Sequence, residues 1–274
     1  LLGCFVTLLS LSMILAFTYW SNKPLPIPVA GIEFVVAKGA SMATVAEQLK
    51  TLAIIDQPLL LRLYSRFTGA DSKLRPGEYK IEVELSPREL LEQLVAGKVR
   101  NYSVTLPEGL TLKQSLEVLH AQSTLQKELT VESAWQQLSE LVGGGNPEGW
   151  FFPDTYIYTA ETSDLDLLVL AHRKMRIILE KEWQDRDSEL PYNSSYDALI
   201  MASIIEKETG MASERAQIAG VFVSRMKKRM RLQTDPTIIY GLGDKFDGNL
   251  KRKHLRDQEN AYNTYHIKAL PPSP

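Results

Sequence analysis

The first twenty residues, Leu1 to Trp20, carry no charged side chain, and a helix of about 20 apolar residues matches the hydrocarbon thickness of a bilayer. No other feature limits the chain so strongly, because a helix apolar on all sides must be enclosed by protein or by lipid. Tyr19 and Trp20 close the run as interfacial aromatics do, and Thr18-Tyr19-Trp20-Ser21-Asn22 is a poor signal-cleavage site. We therefore expect an uncleaved transmembrane anchor over 1–20. In Leu1-Leu2-Gly3-Cys4 the apolar stretch follows the cysteine, the wrong order for a lipoprotein signal. Lys23-Pro24-Leu25-Pro26-Ile27-Pro28 alternates proline with other residues, which predicts an extended, stiff linker over 21–31 holding the next domain off the membrane.

The remainder reads as packed protein. Over the 274 residues, 44% are hydrophobic and 23% charged, so neither disorder nor repeated membrane crossing is expected. A net charge of -2 argues against nucleic acid as a partner, since its binders carry a basic excess. The basic run Arg225, Lys227, Lys228, Arg229, Arg231 falls at a helix end, where it complements the helix dipole. Cys4 stands alone, and His120, His172, His254 and His266 are widely separated, so no metal site and no cofactor are expected.

Along the chain, Ile32 to Ala37 reads as a strand. Gly39 and Ser41 then turn and cap a helix containing Val45, Ala46 and Leu49. A second helix is expected near 59–67, a strand at Glu78-Tyr79-Lys80-Ile81, and a helix from Pro87 to Val95 capped by Ser86 and ended by Gly97. Placing Gly39 over Gly109 aligns Ser41 with Thr111, Glu47 with Glu117 and Leu49 with Leu119, so 104–119 reads as a second strand-turn-helix unit. A helix over 131–141 and the loop Gly143-Gly144-Gly145-Asn146-Pro147 follow. The fold class expected is α+β.

Three stretches hold groups suited to chemistry. Glu148-Gly149-Trp150-Phe151-Phe152-Pro153-Asp154-Thr155-Tyr156 mixes aromatics with carboxylates, which suits either the wall of a sugar cleft or a packed turn. Ser194, with Asp197 at capping-box spacing, opens a helix that is apolar from Ala198 to Ile205 apart from Ser203, and Glu206 follows at once. A carboxyl held against apolar neighbours becomes a proton donor near neutral pH. Glu208 is the rival, but at about 100° per residue the two point about 200° apart. Glu206 shares its face with Leu199, Ala202 and Ser203, small enough to admit substrate, so it is favoured; two solvated charges at a helix end would read the same way. Finally, Leu232-Gln233-Thr234-Asp235-Pro236-Thr237 predicts a turn at Asp-Pro that presents polar side chains, and Ala261-Tyr262-Asn263-Thr264-Tyr265 is a second polar, aromatic cluster.

Taken together, Glu148 to Tyr156, the run Ala202-Ser203-Ile204-Ile205-Glu206-Lys207-Glu208-Thr209, Arg231 to Thr237 and Tyr262 to Tyr265 resemble, in order, the motifs of the endolytic murein transglycosylases of the MltG (YceG-like) family. The resemblance spans nearly the whole chain and implies a lysin-motif-like subdomain over 32–99 and a catalytic domain over 100–274. It places Glu206 on the catalytic glutamate. Glu148, Tyr156, Ser203, Glu208, Gln233, Thr234, Asp235, Tyr262, Asn263 and Tyr265 become candidate substrate contacts. Where family members usually read Gly-Leu-Pro-Pro-Gly-Pro, this chain reads Ala269 to Pro274 with Ser273 in place of glycine, and the family's catalytic domain runs on beyond that point.

The resemblance further implies cleavage between N-acetylmuramic acid and N-acetylglucosamine in peptidoglycan glycan strands, with a 1,6-anhydro product. One carboxylate would act first as acid and then as base, in contrast to the carboxylate pairs of ordinary glycosidases. It implies a single-pass protein of the inner (cytoplasmic) membrane, its catalytic domain on the periplasmic side, with penicillin-binding proteins of wall synthesis as partners. Two other readings compete: a non-catalytic peptidoglycan-binding scaffold, and a muramidase-type hydrolase.

Overall fold

The structure is a computed structural model that describes residues 2–81 and 85–274; Leu1, the first residue of the expected anchor, lies outside them. The chain is mixed α+β and forms two compact units, Leu1–Tyr102 with Ile157–Thr162, and Ser103–Tyr156 with Ser163–Pro274.

The first unit contains α1 (Leu2–Asn22), β1 (Ile32–Val36), α2 (Met42–Thr51), α3 (Pro58–Thr68), β2 (Gly77–Ile81) and α4 (Pro87–Ala96). β1 and β2 pair antiparallel, with Ile32 opposite Ile81 and Val36 opposite Gly77. Alternation along the strands sends Phe34, Val36, Tyr79 and Ile81 inward, where they meet Val45, Ala46 and Leu49 of α2, Leu61 of α3 and Leu90 and Leu94 of α4. α4 begins as its sequence predicts, with Ser86 and Glu89 in a reciprocal capping box and Pro87 in the first turn, and ends at Gly97 in the left-handed region.

The amino end is more closely engaged with the first unit than a separate anchor and spacer would be. α1 supplies the expected helix, but among the described residues no helix is long and apolar enough to cross a membrane. Its last turns also belong partly to the domain: Trp20 packs against the first unit's core, Ser21 is buried, and the Phe17 ring meets Tyr64 of α3 edge-on at 5.5 Å. Nor is 21–31 a free spacer. The Leu25 N–H donates to the Leu85 carbonyl at 2.9 Å, and Leu25 and Ile27 lie against the same core. Both side chains are apolar, so the segment gains more by packing than by standing in water.

The second unit carries most of β3 (Tyr102–Leu106) and β4 (Asp154–Tyr158), which pair with one another. Its helices are α5 (Leu112–His120), α6 (Val131–Leu141), α7 (Asp164–Gln184), α8 (Ser195–Glu208), α9 (Ala212–Lys227), α10 (Asp235–Leu242) and α11 (Arg252–Leu255). α8 is capped by Ser194, whose hydroxyl accepts from the Asp197 N–H. It buries Leu199, Ile200, Met201 and Ile204 and leaves Ala202 exposed. Ile200, Met201 and Ile204 form a cluster with Phe222 of α9 and Leu232. The turn expected at Asp235-Pro236 is instead the start of α10, with both residues in its first turn. Proline is tolerated there because the N–H it lacks would have no partner within the helix.

Candidate active site

Glu206 lies in the last turn of α8, where the helix emerges from its apolar cluster. Its carboxylate meets the Arg215 guanidinium of α9 at 3.1 Å, and the side chain keeps 28% of its surface. The apolar confinement expected for it therefore ends two residues earlier, at Ile204; the carboxylate itself is partly wet and ion-paired. Arg215 is the residue that sequence reasoning missed. Its position nine residues on, past the break between two helices, follows no helical period, so nothing local marks it as a partner.

Gly109, in the turn before α5, approaches the same carboxylate. A Cβ built on it would stand 3.5 Å from Glu206 Cγ and 3.5 Å from Lys207 Nζ, and its φ of 73° is one that side chains rarely adopt. The turn thus passes beside Glu206 without placing a side chain there. The two glutamates contact different partners, as their angular separation requires. Glu208 is exposed and accepts a hydrogen bond from the Thr234 hydroxyl, away from Arg215.

Around Glu208 the polar stretches come together. The Asp235 carboxylate accepts from the Tyr265 hydroxyl at 2.8 Å. Burial, then the bond to Asp235, pushes that phenol up to about 12. Gln233 is exposed, with φ at 54°, and its N–H donates to the Thr264 carbonyl at 3.2 Å. A glutamine in the left-handed region costs about 1–2 kcal/mol, and here its backbone is held between the buried Leu232 and Thr234.

Several residues expected to contact substrate make hydrogen bonds within the protein. Thr234 is buried, and its N–H donates to the Thr264 hydroxyl at 3.0 Å. Asn263 is fully buried and donates to the carbonyls of His254, Leu255 and Asp257, pinning its own loop. Tyr156 is buried in β4 with its hydroxyl on the Phe152 carbonyl. Ser203 donates back to the Ile200 carbonyl at 2.7 Å, so its hydroxyl is engaged within the helix. Glu148 is buried, accepting from the Leu112 N–H at 2.6 Å and the Tyr240 hydroxyl at 3.0 Å. Burial raises its pKa, against the pull of those two bonds. It ties the first turn of α5 to α10. Tyr262 sets its ring against Tyr240 at 4.8 Å and its hydroxyl 2.7 Å from Ser273 Oγ. That serine is buried and also accepts from the Asn146 amide at 2.9 Å. Trp150, expected in a cleft wall, stacks on Tyr196 of α8 at 5.5 Å. The aromatic motif is therefore a packed turn that braces the helix bearing Glu206.

Glu206 is thus a partly exposed carboxylate with a cation and a glycine beside it, and Glu208, Gln233, Asp235 and Tyr265 form a polar shelf on a different side of the helix end. The YceG-like family profile matches residues 34–274, and the chain belongs to that family. It is 27% identical over 259 residues to a protein of Bacillus subtilis named endolytic murein transglycosylase, across 87% of this chain and 70% of that one. A Streptococcus pneumoniae protein of the same name is 23% identical across 98% of this chain, which spans 55% of that relative's length. A crystal structure of a yceG-like protein from Listeria monocytogenes is similar at 26% identity and a TM-score of 0.48, covering 89% of this chain and 85% of that one.

Proposed function

We propose that the chain is an endolytic lytic transglycosylase of peptidoglycan, with Glu206 as its acid and base. The observation that carries this reading is the Glu206 carboxylate itself, reachable at the end of a buried helix, oriented by Arg215, with Gly109 leaving room beside it. In the forward step Glu206 gives its proton to the glycosidic oxygen between N-acetylmuramic acid and N-acetylglucosamine. As that bond breaks, the muramyl 6-hydroxyl attacks C1 and closes the 1,6-anhydro ring, and its proton passes to Glu206. No water is consumed, so a single carboxylate suffices where ordinary glycosidases need a spaced pair. Glu208 serves the shelf with Gln233, Asp235 and Tyr265, whose hydroxyl, amide and carboxylate groups suit sugar hydroxyls and acetamides.

The uncharged run in α1 supports a single membrane anchor, with the two units on the periplasmic side, where the substrate lies, acting on nascent strands beside penicillin-binding proteins. The test is Glu206→Gln on purified glycan strands. Removing general acid catalysis lowers turnover by about 10²–10⁴-fold while strand binding in a pull-down stays near native. Product masses separate the chemistries: anhydro ends carry no added water, whereas products heavier by one water identify a hydrolase. Unchanged turnover in Glu206→Gln, with Glu208→Gln inactive, moves the role to the other carboxylate.

A further inference from the structure

The first unit exposes an apolar helical face. On α3, Leu59, Leu63 and Phe67 keep 60%, 52% and 90% of their surface, and at about 100° per residue they fill an arc of about 80°. Leu61 and Ser65, both buried, lie on the opposite side. One border of the arc continues through Leu60 to Tyr64, whose ring meets Phe17 of α1. The other border carries Arg62 and Arg66, both exposed. Leucine and phenylalanine on one face with arginines beside them is the pattern of a helix lying in the headgroup layer of a bilayer. The position of α1 favours lipid over another protein as the occupant. Trp20 packs into the same unit, and Leu25 and Ile27 pin the following segment to it, so no slack tether separates this unit from α1. The exposed side chains of α1, among them Leu8, Leu11 and Ile14, therefore belong to the same compact body as the α3 face.

We propose that α3 is a membrane-surface element: Leu59, Leu63 and Phe67 insert into the headgroup layer of an anionic phospholipid bilayer while Arg62 and Arg66 pair with lipid phosphates. The proposal rests on the reading of α1 as a membrane anchor. It fixes the first unit against the bilayer instead of holding it away.

The test uses the full chain in vesicles of phosphatidylcholine and phosphatidylglycerol, with Cys4→Ser and one new cysteine carrying an environment-sensitive fluorophore at Leu63, at Leu11 in α1, or at the exposed Lys50 of α2. Doxyl groups at shallow and deep positions of the lipid act as quenchers. The expected result is quenching at Leu63 mainly by the shallow probe, since an interfacial helix sits about 5–10 Å into the boundary. Quenching at Leu11 should come from the deep probe, and none should occur at Lys50. Replacing phosphatidylglycerol by phosphatidylcholine should weaken the signal at Leu63 and leave Leu11 unchanged. Leu11 in lipid with Leu63 in water overturns the proposal and spares the anchor; Leu11 in water removes both. A Leu63 label shielded from water but untouched by doxyl lipid shows that protein, such as a second copy, covers the face, and this also overturns it.

Discussion

The strand-turn-helix units β1–α2 and β3–α5 are built alike and used differently. Each strand buries its third and fifth residues. Each turn passes through a glycine at positive φ, 79° at Gly39 and 73° at Gly109, and each helix is capped by a hydroxyl, Ser41 or Thr111. α2 buries Met42, Val45, Ala46 and Leu49, and α5 buries Leu112, Ser115, Leu116 and Leu119 at the same spacing. What differs is the company at the turn. A Cβ on Gly39 would meet open space, whereas one on Gly109 would touch Glu206 and Lys207. Glu148, 36 residues on, reaches the first N–H of α5. The same local pattern thus builds a core in one unit and the edge of a site in the other, and long-range contacts decide which.

The largest test of this comparison truncates the matched leucines. Leu49 and Leu119 are both fully buried, so Leu49→Ala and Leu119→Ala should each cost about 2–5 kcal/mol in urea unfolding. If α5 supports the site, Leu119→Ala should lose turnover at lower urea than Leu49→Ala. Equal activity midpoints would reduce the likeness to one of shape.

A smaller effect comes from the strut that only α5 owns. Two donors, the Leu112 N–H and the Tyr240 hydroxyl, point at the Glu148 carboxylate. Glu148→Gln keeps its carbonyl oxygen for the Leu112 N–H and turns its amide N–H to the Tyr240 hydroxyl, which must then accept where it now donates, a rearrangement costing about 1 kcal/mol. Burial holds the folded pKa of Glu148 above its ordinary value, so the folded chain binds this proton more tightly than the unfolded one. The stability it contributes is fully present below the ordinary carboxylate range, near about 4.3, and is lost as pH rises through the folded value. Unfolding measured across pH should show the Glu148→Gln deficit widest in acid and narrowing toward neutrality; a deficit that widens with pH would contradict the assignment.

The local layer of the fold was legible because its signals are local. Ser86, Pro87 and Gly97 delimit α4, Ser194 opens α8, and the alignment of Gly39 with Gly109 marks two like turns; caps, prolines and positive-φ glycines act within one helical turn. Glu206 could be singled out because an apolar helix ending in a carboxylate is visible in one dimension. Arg215 could not, because an ion pair between α8 and α9 depends on how two helices pack. For the same reason the internal bonds of Glu148, Asn263 and Thr234 could not be foreseen: a polar side chain has the same sequence signature whether it meets a sugar or a buried backbone group. The 21-residue α7 opens on a local signal, the reciprocal capping box of Ser163 and Asp166, but its start is also held by Asp164, a buried carboxylate accepting from the N–H groups of Glu128 and Leu129, 36 and 35 residues away, which nothing local marks.

The finest test exchanges the two turn glycines. Gly39→Ala and Gly109→Ala each force an alanine into the left-handed region, at a cost of about 1–2 kcal/mol, and neither meets a clash, since the nearest atoms to the new Cβ at Gly109 are at ordinary contact distance. Their unfolding midpoints should therefore shift alike. Turnover should not. A methyl group at 109 occupies the gap beside Glu206 Cγ and shifts the carboxylate or the sugar by a fraction of an ångström, and misplacement near 1 Å costs about a hundredfold. A loss of about tenfold in kcat for Gly109→Ala, with Gly39→Ala near native, is the expected outcome on glycan strands. If both variants kept native kcat at matched stability, the gap at Gly109 would be a requirement of the turn alone, and the two units would differ in neighbours without differing in function.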